Sequence, residues 1–167
     1  APGKGLAISI IWRMKQIEYT RLRSMHGEKK YKSFWELTHD SLDYALNDAN
    51  VILSGEEKKI LMKEYSRLRA FSENLRVLKQ LKSKGYSLAV LSNANTSMLD
   101  TALKASGIFD LLDCVISADE LKLYKIDPKV YKLIQKYCNV EFKDILFVSS
   151  NFWDIVGAGW CGLKTFW

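Results

Sequence analysis

The second half of the chain alternates short apolar runs with helical stretches, and this alternation constrains the fold more than any other feature. The apolar runs lie at 88–91, 114–116 and 145–148, and a last strand is expected over 164–167. Unbroken apolar strands separated by helices are typical of a parallel sheet that is covered by helices on both faces. We therefore predict an α/β core domain with a parallel sheet over residues 71–167.

Start and stop signals place the helices of this core. Ser72 is expected to cap a helix that ends at Gly85, and a second helix is expected over 97–106. Asp127-Pro128 suits the start of a third helix, because proline is favoured at the first helical position. A short helix ending at Gly162 completes the prediction.

The first seventy residues carry helical signals throughout. A helical pattern runs from Leu6 to Ser24 and is expected to stop near Gly27. Two capping boxes follow, each able to satisfy the free amides at a helix start. They are Ser33 with Glu36, opening a helix over 33–49, and Ser54 with Glu57, opening one over 54–69. We predict a separate helical subdomain over residues 1–70.

Composition excludes several classes of function. The chain is 48% hydrophobic and has a net charge of +6 that is spread over both halves, whereas nucleic-acid binders concentrate charge on one stripe. No apolar run reaches the roughly 18 residues of a membrane span. The three cysteines share no metal-ligand spacing, so we expect no metal site and free thiols in a cytoplasmic protein. His26 and His39 are expected on the surface.

Polar residues stand at the expected carboxyl ends of the strands, where parallel α/β sheets bind ligands. Each of them could simply cap the next helix. Three consecutive polar strand ends that include a lysine and an aspartate favour a site instead. These residues are Ser92 and Asn93 after the first strand, Lys125 after the second, and Ser149, Ser150, Asn151 and Asp154 after the third.

Arg13 stands out in the first helix because it falls within an apolar stripe formed by Leu6, Ile10 and Ile17. An arginine there either extends its charge to water or meets an anionic or dipolar partner. Extension to water is the commoner outcome. The alternative is that this helix covers the strand ends and directs Arg13 at a bound anion.

Together these features resemble the haloacid dehalogenase superfamily, and within it the (S)-2-haloacid dehalogenases. The resemblance implies a Rossmann-like parallel sheet core with an inserted helical cap subdomain over residues 1–70. Phosphatases of the superfamily carry a Gly-Asp pair in the last motif to hold Mg²⁺, and this chain has Ser150-Asn151 there. The motifs are Trp12-Arg13-x-Lys15-Gln16-x-Glu18-Tyr19-Thr20-x-Leu22-Arg23-Ser24, Leu91-Ser92-Asn93, Tyr124-Lys125-x-Asp127-x-x-Val130-Tyr131 and Phe147-Val148-Ser149-Ser150-Asn151-x-Trp153-Asp154.

The resemblance implies hydrolysis of short (S)-2-haloacids to (R)-2-hydroxy acids and halide through an aspartyl ester, without a cofactor. By the match, Ser92 would help to hold the substrate carboxylate. Arg13 and Asn93 would receive the leaving halide, which stabilises charge that develops in the transition state. Trp153 and Phe34 would form apolar walls around the substrate.

The remaining matched residues would serve the nucleophile and the hydrolytic water. Lys125 would keep the nucleophilic carboxylate ionised, with Tyr131 supporting Lys125. Asp154, together with Ser149 and Asn151, would position and activate the water that cleaves the ester. The partners implied are the 2-haloacid and the halide, with no nucleic acid or membrane; a homodimer is left open.

Some features depart from the family pattern. The family nucleophile is an aspartate on a strand that precedes the first helix, and the sequence provides no match to that strand or to its Asp-x-Tyr-Gly-Thr setting. We therefore expect the core to lack its first strand and residues 1–167 alone to be inactive. Ile126 replaces a usual proline, and Met14 a frequent glutamine. The alternatives are a magnesium-dependent phosphatase and a non-catalytic relative that binds small carboxylates or a protein.

Overall fold

A computed structural model describes residues 3–167. Its helices and strands alternate in the second half as the apolar pattern predicts. In chain order the helices are α1 (Gly5–His26), α2 (Phe34–Asp48), α3 (Gly55–Tyr65), α4 (Asn74–Ser83), α5 (Thr96–Ala105), α6 (Pro128–Cys138) and α7 (Phe152–Trp160). The strands are β1 (Ala89–Ser92), β2 (Cys114–Ser117), β3 (Leu146–Val148) and β4 (Lys164–Phe166).

Both predicted capping boxes are present. In α2 the Ser33 hydroxyl accepts from the Glu36 amide, and the Glu36 carboxylate accepts from the Ser33 amide at 2.7 Å. The same exchange between Ser54 and Glu57 begins α3. Gly27 follows α1 with φ of 70°, which glycine adopts without steric cost.

Two helix boundaries differ from the predictions. Helix α3 ends at Tyr65 rather than near residue 69, because the Arg67 amide bonds to the Glu64 carbonyl three residues earlier and closes a turn instead of continuing the helix. Ser72 does not cap α4, since the N-cap position is Glu73 and the Ser72 hydroxyl instead bonds the Glu73 carboxylate. Asp127 does cap α6 as predicted, accepting from the Lys129 amide at 2.8 Å.

The buried face of α1 is not the predicted apolar stripe. Leu6 is 75% exposed and Ile10 is 51% exposed, while the buried residues of the helix are Gln16 and Thr20. Helix α1 packs against α2, and the contact is fixed by hydrogen bonds: the Trp12 indole donates to the Thr38 carbonyl at 2.7 Å. Ile8 and Trp12 also pack against the buried cluster of Leu42, Leu46 and Met62, so polar and apolar contacts together cover this face.

The strands pair in parallel, as predicted, in two sheets of two strands among residues 3–167. Strand β1 pairs with β2, with Ser92 opposite Ser117, and β3 pairs with β4, with Val148 opposite Phe166. The carboxyl ends of β1 and β3 carry the polar residues that the sequence placed at strand ends. The fold is mixed α/β, with the helical first half followed by the parallel strands.

Helices cover one face of β3 rather than both. Phe147 is buried in the main hydrophobic cluster, together with Tyr131 and Ile134 of α6 and Ala158 of α7. Its neighbours Leu146 and Val148 are more than 60% exposed. Within residues 3–167 the predicted second covered face is not seen on this strand. The cause is geometrical: neighbouring side chains of a strand point to opposite faces, and α6 and α7 pack on the Phe147 side.

A second hydrophobic cluster joins the helical half to the α/β half. Phe34 and Leu37 of α2 pack there against Met98 of α5 and against Tyr124, which lies just before α6. Tyr124 is fully buried. Within residues 3–167 none of the helices is both long and apolar enough to cross a membrane.

Candidate active site

A buried ion pair lies where the strand ends meet. The Lys125 ammonium donates to Asp154 Oδ2 at 2.9 Å, and both side chains are less than 10% exposed. Burying two charges is costly, so an ion pair this deep is retained only with good geometry and further hydrogen bonds. Tyr131 supplies one of these, since its hydroxyl donates to Asp154 Oδ1 at 2.8 Å.

Contacts with residues distant in the sequence hold Lys125 in this position. The Lys125 amide donates to Asn93 Oδ1 at 2.8 Å, which ties the loop before α6 to the end of β1. The Lys125 ammonium also lies 4.9 Å from the centre of the Phe147 ring, a cation–π contact from β3. Asp154 stands in the first turn of α7, where the helix dipole favours a negative charge.

Burial controls the protonation of the groups around this pair. Loss of hydration lowers the pKa of the Lys125 ammonium, and the Asp154 carboxylate opposes that shift. Burial together with the neighbouring carboxylate raises the pKa of the Tyr131 phenol, which therefore remains a donor at neutral pH. The site thus holds one lysine, one carboxylate and one neutral phenol in a poorly hydrated space.

Gly157 allows this close packing. A Cβ at that position would lie 2.7 Å from the Tyr131 hydroxyl oxygen and 2.8 Å from a methyl carbon of Ile126. Gly157 is one turn after Asp154, so α7 approaches α6 at the level of the ion pair. A larger residue would push Tyr131 or the Ile126 segment away from Asp154.

Arg13 reaches from α1 to the same region. Its guanidinium donates to Asn151 Oδ1 at 3.3 Å and to Gln16 Oε1 at 2.8 Å. Asn151 precedes α7, and the backbone amide of Asn151 donates to the Ser149 hydroxyl at 3.2 Å. The structure therefore brings the predicted residues together in two hydrogen-bonded groups, Arg13, Asn151 and Ser149 in one and Asn93, Lys125 and Asp154 in the other. Arg13 is itself exposed, and its place in one site with Lys125 stays a prediction.

The other predicted residues lie around this network. The Ser92 hydroxyl accepts from the Ala94 amide at the end of β1. Trp153 borders a groove of about 460 Å³ beside Arg13, with Met14, Ile17 and Leu22 of α1, and the Arg21 guanidinium lies 5.6 Å from its ring centre. Phe34 is buried beside Tyr124, with ring centres 6.3 Å apart, so its predicted role as a substrate wall stays a prediction.

Sequence reasoning placed Tyr124 in a matched motif without giving it a role, and the structure shows that it anchors the loop that carries Lys125. Its amide donates to the Ser24 hydroxyl at 3.1 Å and its own hydroxyl donates to the Lys32 carbonyl. The Tyr31 ring stacks on it at 5.3 Å, and the Tyr31 hydroxyl donates to Asp119. The signal available in the sequence was only that an aromatic residue directly precedes a predicted site lysine.

We expect Tyr124→Phe to slow turnover several-fold and to destabilise the protein by about 1 kcal/mol, the typical net value of one buried hydrogen bond. The loop holding Lys125 would lose one of its ties to the helical half. The measurement is steady-state kinetics with thermal unfolding. Tyr137→Phe is the matched control, because it removes an exposed phenol–Glu120 bond. Equal kinetic effects of the two changes would contradict the anchoring role.

The donor set here is a poor match for a divalent cation. Both carboxylate oxygens of Asp154 already accept hydrogen bonds, from Lys125 and from Tyr131. A magnesium ion prefers several oxygen ligands that include one or two carboxylates, and the lysine would occupy that space with like charge. In the part of the chain that the structure describes, no three His, Cys, Asp or Glu side chains form a cluster that could hold a metal ion.

The fold and this buried lysine–carboxylate site define a hydrolase of the haloacid dehalogenase type. Residues 7–162 match the family model of haloacid dehalogenase-like hydrolases. The chain is also 42% identical over 159 residues to (S)-2-haloacid dehalogenase 4A of Burkholderia cepacia, covering 95% of this chain and 68% of that protein. The chain therefore belongs to the haloacid dehalogenase-like hydrolases, and within them to the (S)-2-haloacid dehalogenase family.

Solved structures agree with this assignment. The crystal structure of the L-2-haloacid dehalogenase RSc1362 superposes with a TM-score of 0.97 at 46% identity, covering 99% of this chain and 74% of that one. The L-2-haloacid dehalogenase of Xanthobacter autotrophicus with chloropropionic acid covalently bound superposes with a TM-score of 0.90 at 32% identity. That comparison covers 98% of this chain and 65% of the other.

Proposed function

We propose that the complete gene product carries out hydrolytic dehalogenation of short (S)-2-haloacids, giving (R)-2-hydroxy acids and halide. The observation that carries the proposal is the buried Lys125–Asp154 pair at 2.9 Å, supported by the contact of Arg13 on α1 with Asn151 at the start of α7 at 3.3 Å. A lysine in this position can keep a second carboxylate ionised, and the arginine can meet a departing anion.

In the first step a carboxylate oxygen attacks C2 of the haloacid and the carbon–halogen bond breaks, which leaves an ester and a halide ion. Negative charge moves onto the halogen as the bond breaks. Arg13 and Asn93 would donate hydrogen bonds to it, which stabilises charge that develops in the transition state. Ser92 would hold the substrate carboxylate, with Trp153 and Phe34 packing on its carbon chain.

In the second step water attacks the carbonyl carbon of the ester, and the bond between that carbon and the oxygen on C2 breaks. The nucleophilic carboxylate is restored, and the departing hydroxy-acid oxygen takes up the proton that the water loses. The C2–oxygen bond formed in the first step is kept, so the single inversion at C2 is preserved in the product. Asp154 would take the proton from this water, with Ser149 and Asn151 orienting it. Tyr131 and Lys125 hold the Asp154 carboxylate in place by hydrogen bonds to its two oxygens.

The nucleophile is proposed to be a carboxylate outside residues 3–167. Within the described residues Asp154 is the carboxylate in contact with Lys125, and the hydrolytic step already requires it. Asp119 accepts hydrogen bonds from Tyr31 and Lys122, which commits it to the junction between the two halves. The Lys125 ammonium would then balance the negative charge of the nucleophilic carboxylate as well as that of Asp154.

We further propose that residues 1–70 act as a cap over a core formed by residues 71–167, with α1 closing the site through Arg13.

A cytoplasmic location is proposed from the free thiols of Cys114, Cys138 and Cys161, which suit a reducing compartment. A homodimer is proposed through the outward face of α1, where Leu6 and Ile10 are exposed.

The test is halide release from (S)-2-chloropropionate by the complete gene product, with and without a chelator. We expect release of chloride and (R)-2-hydroxypropionate at the same rate in both conditions. Residues 1–167 alone should release none, because Lys125 would face no nucleophilic carboxylate. Hydrolysis of phosphate monoesters that requires Mg²⁺ would support a phosphatase instead. Turnover by residues 1–167 that is lost in Asp119→Asn would show that the nucleophile has been misplaced.

A further inference from the structure

Gln16 is a buried polar residue next to Arg13 on α1, and the proposed reaction gives it no role. Its side chain is 1% exposed, which is unusual for glutamine. A buried amide must satisfy both its donors and its acceptor to avoid a cost in stability. The partners of Gln16 therefore show what the residue is arranged to hold.

Thr38 determines which way the Gln16 amide points. The Thr38 hydroxyl donates its one proton to the Phe34 carbonyl at 2.6 Å. Toward Gln16 it can then only accept, so the nitrogen of the amide must face it, at 2.6 Å. The same nitrogen lies 3.0 Å from the Tyr65 hydroxyl.

The orientation leaves the amide oxygen of Gln16 facing Arg13. Arg13 Nη1 donates to this oxygen at 2.8 Å, and Arg13 Nη2 donates to Asn151 at 3.3 Å. The guanidinium is a planar fork whose donors have fixed directions. Holding one arm on Gln16 therefore fixes the direction of the other arm, which reaches the substrate side of the site.

We propose that Gln16, oriented by Thr38, is the positioning residue for Arg13. The inference rests on the proposed dehalogenase function and adds a residue that acts through Arg13 without touching the substrate. Gln16 links the interior of the helical half to the group that receives the halide. Loss of the Gln16 oxygen would let the guanidinium rotate away from the breaking carbon–halogen bond.

The experiment is a double-mutant cycle in the complete gene product with Gln16→Met and Arg13→Lys. Methionine has a similar length and fills the buried space without a polar group. We expect Gln16→Met to lower kcat/KM for (S)-2-chloropropionate on the order of tenfold, less than the loss of a whole transition-state donor. In the Arg13→Lys background the same change should have little effect, because the group it positions is gone.

The leaving group gives a second readout that a purely structural role would not move. Chloride leaves less readily than bromide, so a misplaced Arg13 should slow the chloro substrate more than the bromo substrate. Ser41→Ala is the matched control: Ser41 is equally buried in α2, and its hydroxyl donates to the Leu37 and Thr38 carbonyls. Ser41→Ala should lower thermal stability. It should leave unchanged the chloro-to-bromo ratio, which is kcat/KM for the chloro substrate divided by kcat/KM for the bromo substrate.

Two further variants keep the result interpretable if Gln16→Met folds poorly. Thr38→Val removes the acceptor that orients the amide, and we expect it to lower the chloro-to-bromo ratio as Gln16→Met does. Gln16→Glu keeps an oxygen for Arg13 and should retain more activity than Gln16→Met. If Gln16→Met slows both substrates equally, or by the same factor with and without Arg13, the proposal is wrong. Absence of any dehalogenation by the unmodified protein would instead overturn the proposed function.

Discussion

Asp154→Asn in the complete gene product is expected to abolish net turnover, with a loss of at least about 10³-fold. General base catalysis alone contributes about 10²–10⁴-fold, and an amide cannot take a proton from water. The first step should survive better, because it needs Lys125 and Arg13 rather than Asp154. An ester that forms and is not hydrolysed should accumulate on the protein.

Mass spectrometry of the intact variant after incubation with (S)-2-chloropropionate measures this. We expect an adduct with the mass of the substrate less hydrogen chloride. The same substitution removes one of the two carboxylates proposed to face Lys125, so the free energy of unfolding should fall, by less than the about 3–5 kcal/mol that a fully unpaired buried charge costs. Asp127→Asn is the control, since asparagine caps a helix as well as aspartate does. A fully active Asp154→Asn enzyme would remove Asp154 from the mechanism.

Arg13→Lys is expected to lower kcat/KM by about 10²–10³-fold, the cost of removing one donor to developing charge. An ammonium is a single point charge and cannot bond to Gln16 and Asn151 in the fixed directions that the guanidinium uses. The loss should be larger for chloro than for bromo substrates.

Halide-release assays on both substrates check this expectation. Arg23→Lys is the matched control, because it makes the same change near the end of α1, where Arg23 donates to the Lys30 carbonyl. Its kinetics should stay close to those of the unmodified protein. Equal losses for Arg13→Lys and Arg23→Lys would show that the effect comes from the helix rather than from the site.

The sequence predicted the helices and strands well because their signals are local. Capping at Ser33, Ser54 and Asp127 depends on residues three positions apart or fewer, and the structure confirms each of these caps. The polar strand ends were also predictable, since a parallel sheet gathers the carboxyl ends of its strands. The strand order predicts that Lys125 and Asp154 lie close together, and their side chains are 2.9 Å apart.

The remaining features depend on contacts that sequence patterns do not encode. The apolar stripe of α1 predicted the wrong buried face, because hydrogen bonds from Trp12 and Gln16 to Thr38 and the packing of Trp12 cover a different face. Tyr124 and Gln16 stand in the matched motifs, but their roles could not be predicted for a similar reason. Their partners lie 22 to 100 residues away along the chain, so only the folded chain reveals them.

The tight approach at Gly157 also bears on how such an enzyme can change its substrate range. A Cβ added to Gly157 would lie less than 3 Å from atoms of Tyr131 and Ile126, so there is no room for even one additional carbon atom at this position. On the side of α1 the exposed Met14 and the groove beside Trp153 have open space for larger or smaller side chains. Natural or laboratory evolution toward new haloacids should therefore proceed through substitutions on α1, while the α6–α7 crossing tolerates almost none.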